Sequence, residues 1–159
     1  MELYLIRLLQ KKLFFLVFFC QCISLTFSPF IIYPYIYFLY YVNVIQLLDI
    51  YVYLLSNFLI IIIKILSKRR RPYVKDTEIQ NLDIWDLNPN MSFPSFHSSI
   101  GAIIGTINGY FFLTSFTVGL SRVILGVHHY SDVIVSIIIT RYLLYWIYVL
   151  LSHYHLNYL

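Results

Sequence analysis

Three polar clusters interrupt an otherwise apolar chain of 159 residues, and they read Lys64-x6-Arg71-Pro72, Pro94-Ser95-Phe96-His97 and Ser121-Arg122-x5-His128-x3-Asp132. They combine cationic side chains, hydroxyl groups and histidines, which are the groups that bind phosphate and move its protons. Ten residue identities are specified at set offsets, which is far more restrictive than one short motif. The clusters therefore predict a phosphate-handling site.

The composition indicates a membrane protein. Hydrophobic residues make up 60% of the chain, charged residues make up 11%, and the mean hydropathy is +0.78. A soluble domain does not have this composition. Cys20 and Cys22 lie in an apolar run, which predicts packing residues rather than a disulfide framework or a zinc knuckle. We expect a single integral-membrane domain over residues 1–159.

Apolar runs of nearly bilayer-spanning length recur along the chain. We expect a first span over residues 13–27, two spans of similar length within residues 31–66, and a last span over residues 133–151. Residues 67–92 form a polar stretch, basic at its start and acidic toward Asp86, which predicts a loop outside the hydrocarbon. Arg141 lies within the last span and is assigned to no site.

Two basic clusters bear on the orientation of the chain, one at the N-terminus (Arg7, Lys11 and Lys12) and one at residues 68–71. Basic residues favour the cytoplasmic side, but three intervening spans would separate these clusters. We let the N-terminal charges set the orientation and attribute the second cluster to phosphate binding. The site is then expected on the luminal or extracellular face.

The chemistry of a phosphate ester assigns roles to the cations. Lys64 and Arg71 are seven residues apart, so on one continuous helix they would lie on the same face. Pro72 predicts that this helix ends near Arg71. Arg122 adds a second planar guanidinium suited to bidentate phosphate contact. These three cations are predicted to bind one phosphate.

His128 and Asp132 are four residues apart, so on a helix the carboxylate would lie beneath the imidazole and orient it. This arrangement suits a nucleophilic histidine that forms a phosphohistidine, later hydrolysed by water. His97 is then left to protonate the leaving oxygen. The neighbouring His129 is interpreted as a polar residue at the membrane interface.

The clusters resemble the signatures K-x6-RP, PSGH and SR-x5-H-x3-D of the type 2 phosphatidic acid phosphatase (PAP2) superfamily, and the resemblance covers residues 64–132. It implies the same roles for His128, His97 and Asp132, with further hydrogen bonds from Ser95 and Ser121. It also implies that no metal or cofactor is needed. The implied fold is an all-α, polytopic membrane bundle of the PAP2 and haloperoxidase type, here shortened to about five to six spans or half-spans.

Residues flanking the second and third clusters look like the lipid phosphate phosphatase branch of this superfamily: Ser92-Phe93, Ser98-Ser99, and His129 with Ser131. The expected substrates are phosphatidic acid, lysophosphatidic acid or diacylglycerol pyrophosphate, with sphingoid-base phosphates and polyprenyl pyrophosphates as alternatives. The expected partners are this lipid and the bilayer, without nucleic acid. The oligomeric state is left open.

The chain departs from the family pattern in two ways. Phe96 replaces a small residue, which is commonly glycine in the family. Because glycine has no side chain, the backbone at this position can approach the phosphate closely. Only 23 residues, 98–120, separate the second and third clusters, and one helix of that length would rise about 35 Å and put His97 and His128 on opposite sides of the bilayer. We expect a turn at Asn108-Gly109 between two half-helices, in preference to an incomplete chain with a disabled site.

Other classes of function are weaker. A zinc site could be built from His97, His128, Asp132, His153 and His155, since these are common zinc ligands. A non-catalytic protein that binds lipid phosphate headgroups would fit the two departures. A transporter or channel would leave the ten matched identities unexplained. Haloperoxidases share the anion pocket but resemble soluble proteins.

Overall fold

All regular structure in the described part of the chain is helical, in agreement with the expected all-α bundle. The computed structural model describes residues 1–84 and 88–157, with side chains as far as residue 153. The helices are α1 (Glu2–Lys12), α2 (Val17–Thr26), α3 (Pro29–Tyr41), α4 (Leu47–Ser67), α5 (Pro72–Lys75), α6 (Phe96–Ile107), α7 (Phe111–Ile124) and α8 (Tyr130–Asn157). Asp86 and the side chain of His155 lie outside the described residues.

Within these ranges, α4 and α8 are long and apolar enough to cross a bilayer. The 21 residues of α4 correspond to about 31 Å. A capping box begins this helix, in which the Asp49 carboxylate accepts the backbone N–H of Gln46 at 2.9 Å. Lys68, with a left-handed φ of 46°, ends it. Lys64, in the last turn, therefore lies at the opposite end of α4 from Asp49.

The expected turn between two half-helices occurs where the sequence predicted it. α6 ends at Ile107, α7 begins at Phe111, and Gly109 between them has a φ of +78°, a conformation that glycine adopts without strain. Their 12 and 14 residues correspond to about 18 and 21 Å, too short to cross the bilayer separately. The hairpin therefore returns the chain to the side from which it started.

Close packing of this hairpin depends on two glycines four residues apart. A Cβ atom at Gly105 would lie 2.6 Å from the Cα of Phe111, and one at Gly101 would lie 3.0 Å from the Val118 side chain. Small residues at this spacing let two membrane helices approach closely. The Gly101-x-x-x-Gly105 pattern is a sequence signal for this contact.

An apolar core joins α3, α4, α6 and α8, and its buried residues include Ile32, Ile36, Val52, Ile100, Ile103, Leu144 and Ile147. The two spans of similar length expected within residues 31–66 correspond to α3 and α4, which instead have 13 and 21 residues. Many aromatic side chains outside this core are exposed, among them Phe18, Phe30, Phe112 and Trp146. Such a surface is compatible with lipid rather than water.

The N-terminal segment corrects the orientation argument. The span expected over residues 13–27 corresponds to the helical segment Phe14–Thr26, which is bent by 75° from α1 and is long enough to cross a membrane only if the bent pair counts as one span. Arg7 of α1 pairs with Asp76 at 3.0 Å and with Glu78 at 2.8 Å. The N-terminal basic residues therefore lie on the same side of the molecule as the polar loop that follows α4. The expected separation of the two basic clusters is wrong, since α1 packs beside the loop instead of preceding a simple crossing.

Arg141 of α8 is placed against aromatic residues. Its guanidinium carbon lies 5.4 Å from the centre of the Phe111 ring, within the range of a cation–π contact. A cavity of about 260 Å³ beside it is also lined by Asp49, Tyr53 and Tyr145. These groups lie near the start of α4, away from the end that carries Lys64.

Candidate active site

The α6–α7 hairpin brings the second and third clusters together. His97 is in the first turn of α6, and His128 follows α7 in the loop of residues 125–129. The groups that act on His97 electrostatically come from all three clusters: Arg122, His128, Lys64 and Arg71. The short segment between the clusters therefore unites the two histidines in one site.

His128 is buried, with 1% of its side chain exposed. Burial lowers its pKa well below the usual value, and the charges of Lys64, Arg71 and Arg122 lower it further. Its ring is therefore neutral at pH 7 and keeps one nitrogen lone pair. The Nε2 atom lies 3.5 Å from Nη1 of Arg71.

The Asp132 carboxylate lies beside His128, although the two residues do not share a helix. His128 is in the loop, and Asp132 is in the first turn of α8. Nδ1 of His128 is 3.7 Å from Oδ2 of Asp132, beyond hydrogen-bond distance but within electrostatic reach. The expected helical geometry is thus wrong, while the expected proximity is present.

Residues outside the predicted set hold Asp132 in place. Its Oδ1 atom accepts a hydrogen bond from Nη1 of Arg69 at 2.6 Å. Its Oδ2 atom accepts the hydroxyl of Ser92 and, at 2.8 Å, the backbone N–H of His129. Arg69 was visible only as one member of a basic run, and Ser92 only as a flanking match.

Lys64 and Arg71 reach the site from different backbone structures. α4 ends at Ser67, and Arg71 is extended, with φ −72° and ψ 158°. Its Nε donates to the carbonyl of Asn88 at 2.6 Å and its Nη1 to that of Val127 at 2.7 Å. The Nζ of Lys64 donates to the carbonyl of Pro94 at 3.2 Å. The expected continuous helix is wrong, because the chain leaves α4 early and turns Arg71 inward.

Arg122 is fully buried and forms an ion pair that the sequence did not predict. Its Nη1 lies 2.5 Å from Oδ2 of Asp83 and 2.5 Å from the hydroxyl of Ser24. A buried guanidinium needs such a counter-charge. In the sequence, Asp83 is one of several acidic residues in the polar stretch 67–92. Ser24 lies in an apolar run and carries no recognisable signal.

The two predicted serines differ in their contacts. Ser95 caps α6, because its hydroxyl accepts a hydrogen bond from the Ser98 hydroxyl at 2.8 Å and from the Ser98 N–H at 3.5 Å. Its backbone N–H donates to the Asp132 carbonyl at 3.3 Å. Ser121 donates to the carbonyl of Val118 within α7 at 2.7 Å. Ser95 therefore links α6 to α8, whereas the Ser121 proton is directed into its own helix.

The Phe96 side chain is half-buried and packs against the apolar core shared by α3, α4, α6 and α8. This contact directs its bulk toward the core. The replacement of a small residue is thus accommodated by packing.

The described residues of the zinc alternative do not form a metal site. Over residues 1–84 and 88–157, as far as side chains are described, no group of three or more His, Cys, Asp and Glu side chains could hold a metal ion. His153 is exposed. His129 is buried, and its Nε2 lies 3.3 Å from the carbonyl of Arg70.

The arrangement is suited to a tetrahedral anion. The neutral imidazole of His128 lies beside the Asp132 carboxylate. Both His128 and His97 experience the positive charges of the same three cations, which are Lys64, Arg71 and Arg122. Cations held by backbone carbonyls and a buried carboxylate are preorganised for such an anion.

Comparisons with known proteins bear on the family and the fold. The family model of the PAP2 superfamily matches residues 47–155. The fold is similar to the crystal structure of LpxE from Aquifex aeolicus, with a TM-score of 0.74 and 22% sequence identity over 92% of this chain and 93% of that chain. No curated protein matches the chain in sequence.

Proposed function

The chain belongs to the PAP2 superfamily, and on this premise we propose that it is a membrane phosphatase that hydrolyses lipid phosphate monoesters or pyrophosphates. The observation that carries the proposal is that short contacts join the three clusters at one place. Lys64 donates to the Pro94 carbonyl, Arg71 lies 3.5 Å from His128, and the Ser95 N–H donates to the Asp132 carbonyl. A transporter or channel would not require this convergence. The site is a catalytic unit only if both histidines reach the same phosphate.

In the proposed first step, Nε2 of His128 attacks phosphorus. A phosphorus–nitrogen bond forms, the bond to the leaving oxygen breaks, and His97, which is protonated while the phosphate dianion is bound, donates its proton to that oxygen. Nδ1 faces Asp132 at 3.7 Å, and a small rotation of the ring would make this a hydrogen bond. Catalytic hydrogen bonds are often long before the substrate binds.

In the proposed second step, water attacks the phosphohistidine. His97, now neutral, takes a proton from this water, the phosphorus–nitrogen bond breaks, and phosphate leaves. Lys64, Arg71 and Arg122 neutralise the phosphate oxygens in both steps. Ser95 is proposed to add a hydrogen bond to the phosphate, and Ser121 is proposed to do so after its hydroxyl turns away from the Val118 carbonyl. The cations supply the charge stabilisation, so the scheme needs no metal.

The proposed substrates are glycerolipid phosphates of the phosphatidic acid, lysophosphatidic acid or diacylglycerol pyrophosphate type. The resemblance of the flanking residues to the lipid phosphate phosphatase branch supports this choice, and the exposed apolar surface supports a substrate that arrives from the bilayer. Sphingoid-base phosphates and polyprenyl pyrophosphates carry the same reacting group and are the alternative substrates.

The proposed location is a multi-pass membrane position with the site on the luminal or extracellular face. The family resemblance supports this face. The charge argument now opposes it, because both basic clusters lie on the side of the site and basic residues favour the cytoplasm. Labelling of introduced thiols from one side of the membrane decides between these two arguments.

The experiment that tests the function is phosphate release from phosphatidic acid by the detergent-purified protein in EDTA. We expect release by the wild type and none by His128→Ala. The matched control is His153→Ala, an exposed histidine far along α8, which keeps wild-type activity. Loss of activity in EDTA would overturn the metal-independent scheme. No release from a panel that includes the alternative substrates would favour a protein that only binds lipid phosphate headgroups.

A further inference from the structure

The N-terminal helix contacts the loop that carries the proposed nucleophile. Oε1 of Glu2 accepts the backbone N–H of Ser131 at 2.8 Å and its hydroxyl at 3.0 Å. Oε2 of Glu2 lies 3.5 Å from Nη2 of Arg69 and 3.6 Å from Nδ1 of His129. One carboxylate near the start of the chain therefore reaches three residues around Asp132.

Arg69 extends this contact to Asp132 itself. Its Nη1 lies 2.6 Å from Oδ1 of Asp132 and 2.9 Å from the Ser131 hydroxyl. The groups form a continuous series from Glu2 through Arg69 and Asp132 to His128. Because Asp132 is fully buried, a change in its hydrogen bonds acts directly on the neighbouring imidazole.

Other residues of α1 hold Glu2 in this position. Ile6 is fully buried. The Gln10 side-chain amide donates to the carbonyls of Gln80 at 2.8 Å and Ile124 at 3.1 Å, and its oxygen accepts the Gln80 N–H at 3.1 Å. Arg7 pairs with Asp76 and Glu78. Contacts along its length therefore hold α1 beside the site, and the Glu2 contacts are part of this packing.

We propose that Glu2 and Arg69 are positioning residues for the proposed hydrolysis, which orient Asp132 toward His128. The inference rests on the proposed function. Arg69 occupies Oδ1 of Asp132, so Oδ2 stays directed toward Nδ1 of His128. Glu2 in turn restrains Arg69 and the backbone at Ser131. Neither residue needs to touch the substrate, so their removal lowers kcat and leaves KM nearly unchanged.

The test compares kcat and KM for Arg69→Gln, Arg69→Lys, Glu2→Ala and Glu2→Gln in the phosphatidic acid assay. We expect kcat to fall about 10- to 100-fold in Arg69→Gln, which is the usual effect of removing a partner that orients a functional histidine. Arg69→Lys keeps the cation and recovers part of kcat. Glu2→Ala lowers kcat less, and Glu2→Gln least, because the amide oxygen can still accept the Ser131 N–H.

Two control variants separate positioning from packing. Arg7→Gln removes an ion pair from the same helix without a contact to Asp132, and Lys75→Gln removes an exposed charge at the end of α5. Both are expected to keep kcat within about twofold. Size-exclusion profiles identify any variant that fails to fold, in which case Arg69→Lys and Glu2→Gln carry the test.

Three results would overturn the inference. The first is an unchanged kcat in both Arg69→Gln and Glu2→Ala. The second is a change confined to KM, which would mean contact with substrate. The third is an equal loss in Arg7→Gln, which would mean that α1 acts only by packing. If the wild type itself releases no phosphate from any lipid phosphate, the proposed function fails and the inference falls with it.

Discussion

Arg122 and Asp83 form an ion pair in which Nη1 lies 2.5 Å from Oδ2, and their side chains are 0% and 1% exposed. A cation that is proposed to bind phosphate is therefore held by a carboxylate from the loop after α5. Removing one partner of a buried ion pair weakens the compensation of the remaining charge, which costs more than the pair itself contributes.

Asp83→Asn is accordingly expected to lower the free energy of unfolding by about 3–5 kcal/mol and to raise KM, because Arg122 is no longer held toward the site. Chemical denaturation in detergent measures the first effect, and the phosphatase assay measures the second. Asp76→Asn is the matched control. It disturbs a partly exposed pair with Arg7 and is expected to lower the free energy of unfolding much less, because water screens the two charges. Equal losses in the two variants would contradict the prediction.

The depressed pKa of His128 makes stability depend on pH. The unfolded chain protonates this histidine near pH 6.5, whereas burial and then the nearby cations keep it neutral in the folded protein to lower pH. Between these values the unfolded state binds more protons, so stability falls as the pH is lowered below about 6.5, by up to about 1.4 kcal/mol per pH unit.

Unfolding measurements at pH 7.5 and 5.5 on the wild type and His128→Gln check this prediction. The loss between the two pH values should be smaller in the variant, because the glutamine does not titrate. His129, whose pKa is also lowered by burial, contributes to both proteins and cancels in the comparison. Identical pH dependence would mean that His128 titrates normally.

Gly105 is expected to be less tolerant of substitution than Gly101. An added Cβ at Gly105 would lie 2.6 Å from the backbone Cα of Phe111, whereas at Gly101 it would lie 3.0 Å from the Val118 side chain. The overlap at Gly105 is therefore the larger of the two, and only a movement of the α7 backbone can relieve it. Gly105→Ala should therefore cost more than the roughly 1–3 kcal/mol typical of overpacking, and Gly101→Ala should fall within or below that range.

Activity should follow the same order, since α6 carries His97 and α7 leads to His128. Separation of the two helices would increase the distance between the histidines. Thermal unfolding and phosphate release on both variants test this. A stable but inactive Gly105→Ala would support the geometric argument, whereas a stable and active one would refute it.

Phe96→Ala is expected to reduce stability and leave the activity of the folded protein nearly unchanged. The ring is half-buried against the apolar core, so its truncation should cost about 2 kcal/mol, less than for a fully buried phenylalanine. Thermal unfolding and kcat/KM are the measurements. An increase in kcat/KM of tenfold or more would show that the ring narrows the pocket instead.

Labelling from one side of the membrane tests the sidedness of the chain. Lys11→Cys and Lys75→Cys, made after replacing Cys20 and Cys22 by serine, place thiols at exposed positions on α1 and at the end of α5. Both should react with an impermeant reagent from the same side, because Arg7 pairs with Asp76. Reaction of both from the luminal or extracellular side would support the proposed face, and reaction from the cytoplasmic side would overturn it.

The sequence by itself determined the membrane class, the family and the identities of the candidate site residues. Its average hydropathy excludes a soluble domain, and ten identities at set offsets leave little room for coincidence. It also predicted the turn at Asn108-Gly109, because that dipeptide adopts the required backbone conformation locally. These properties depend on composition or on residues close together in the chain, so they are visible without a structure.

Tertiary structure alone decided how the site is held together. The Arg122–Ser24 contact joins residues 98 positions apart, and the Ser131–Glu2 contact joins residues 129 positions apart. Such pairs leave no periodic signal, because their meeting depends on how whole helices pack. The early end of α4, the inward turn of Arg71 and the position of α1 beside the loop have the same origin. The local sequence favours the formation of each helix. Which buried charges pair with each other is decided only when the helices pack together.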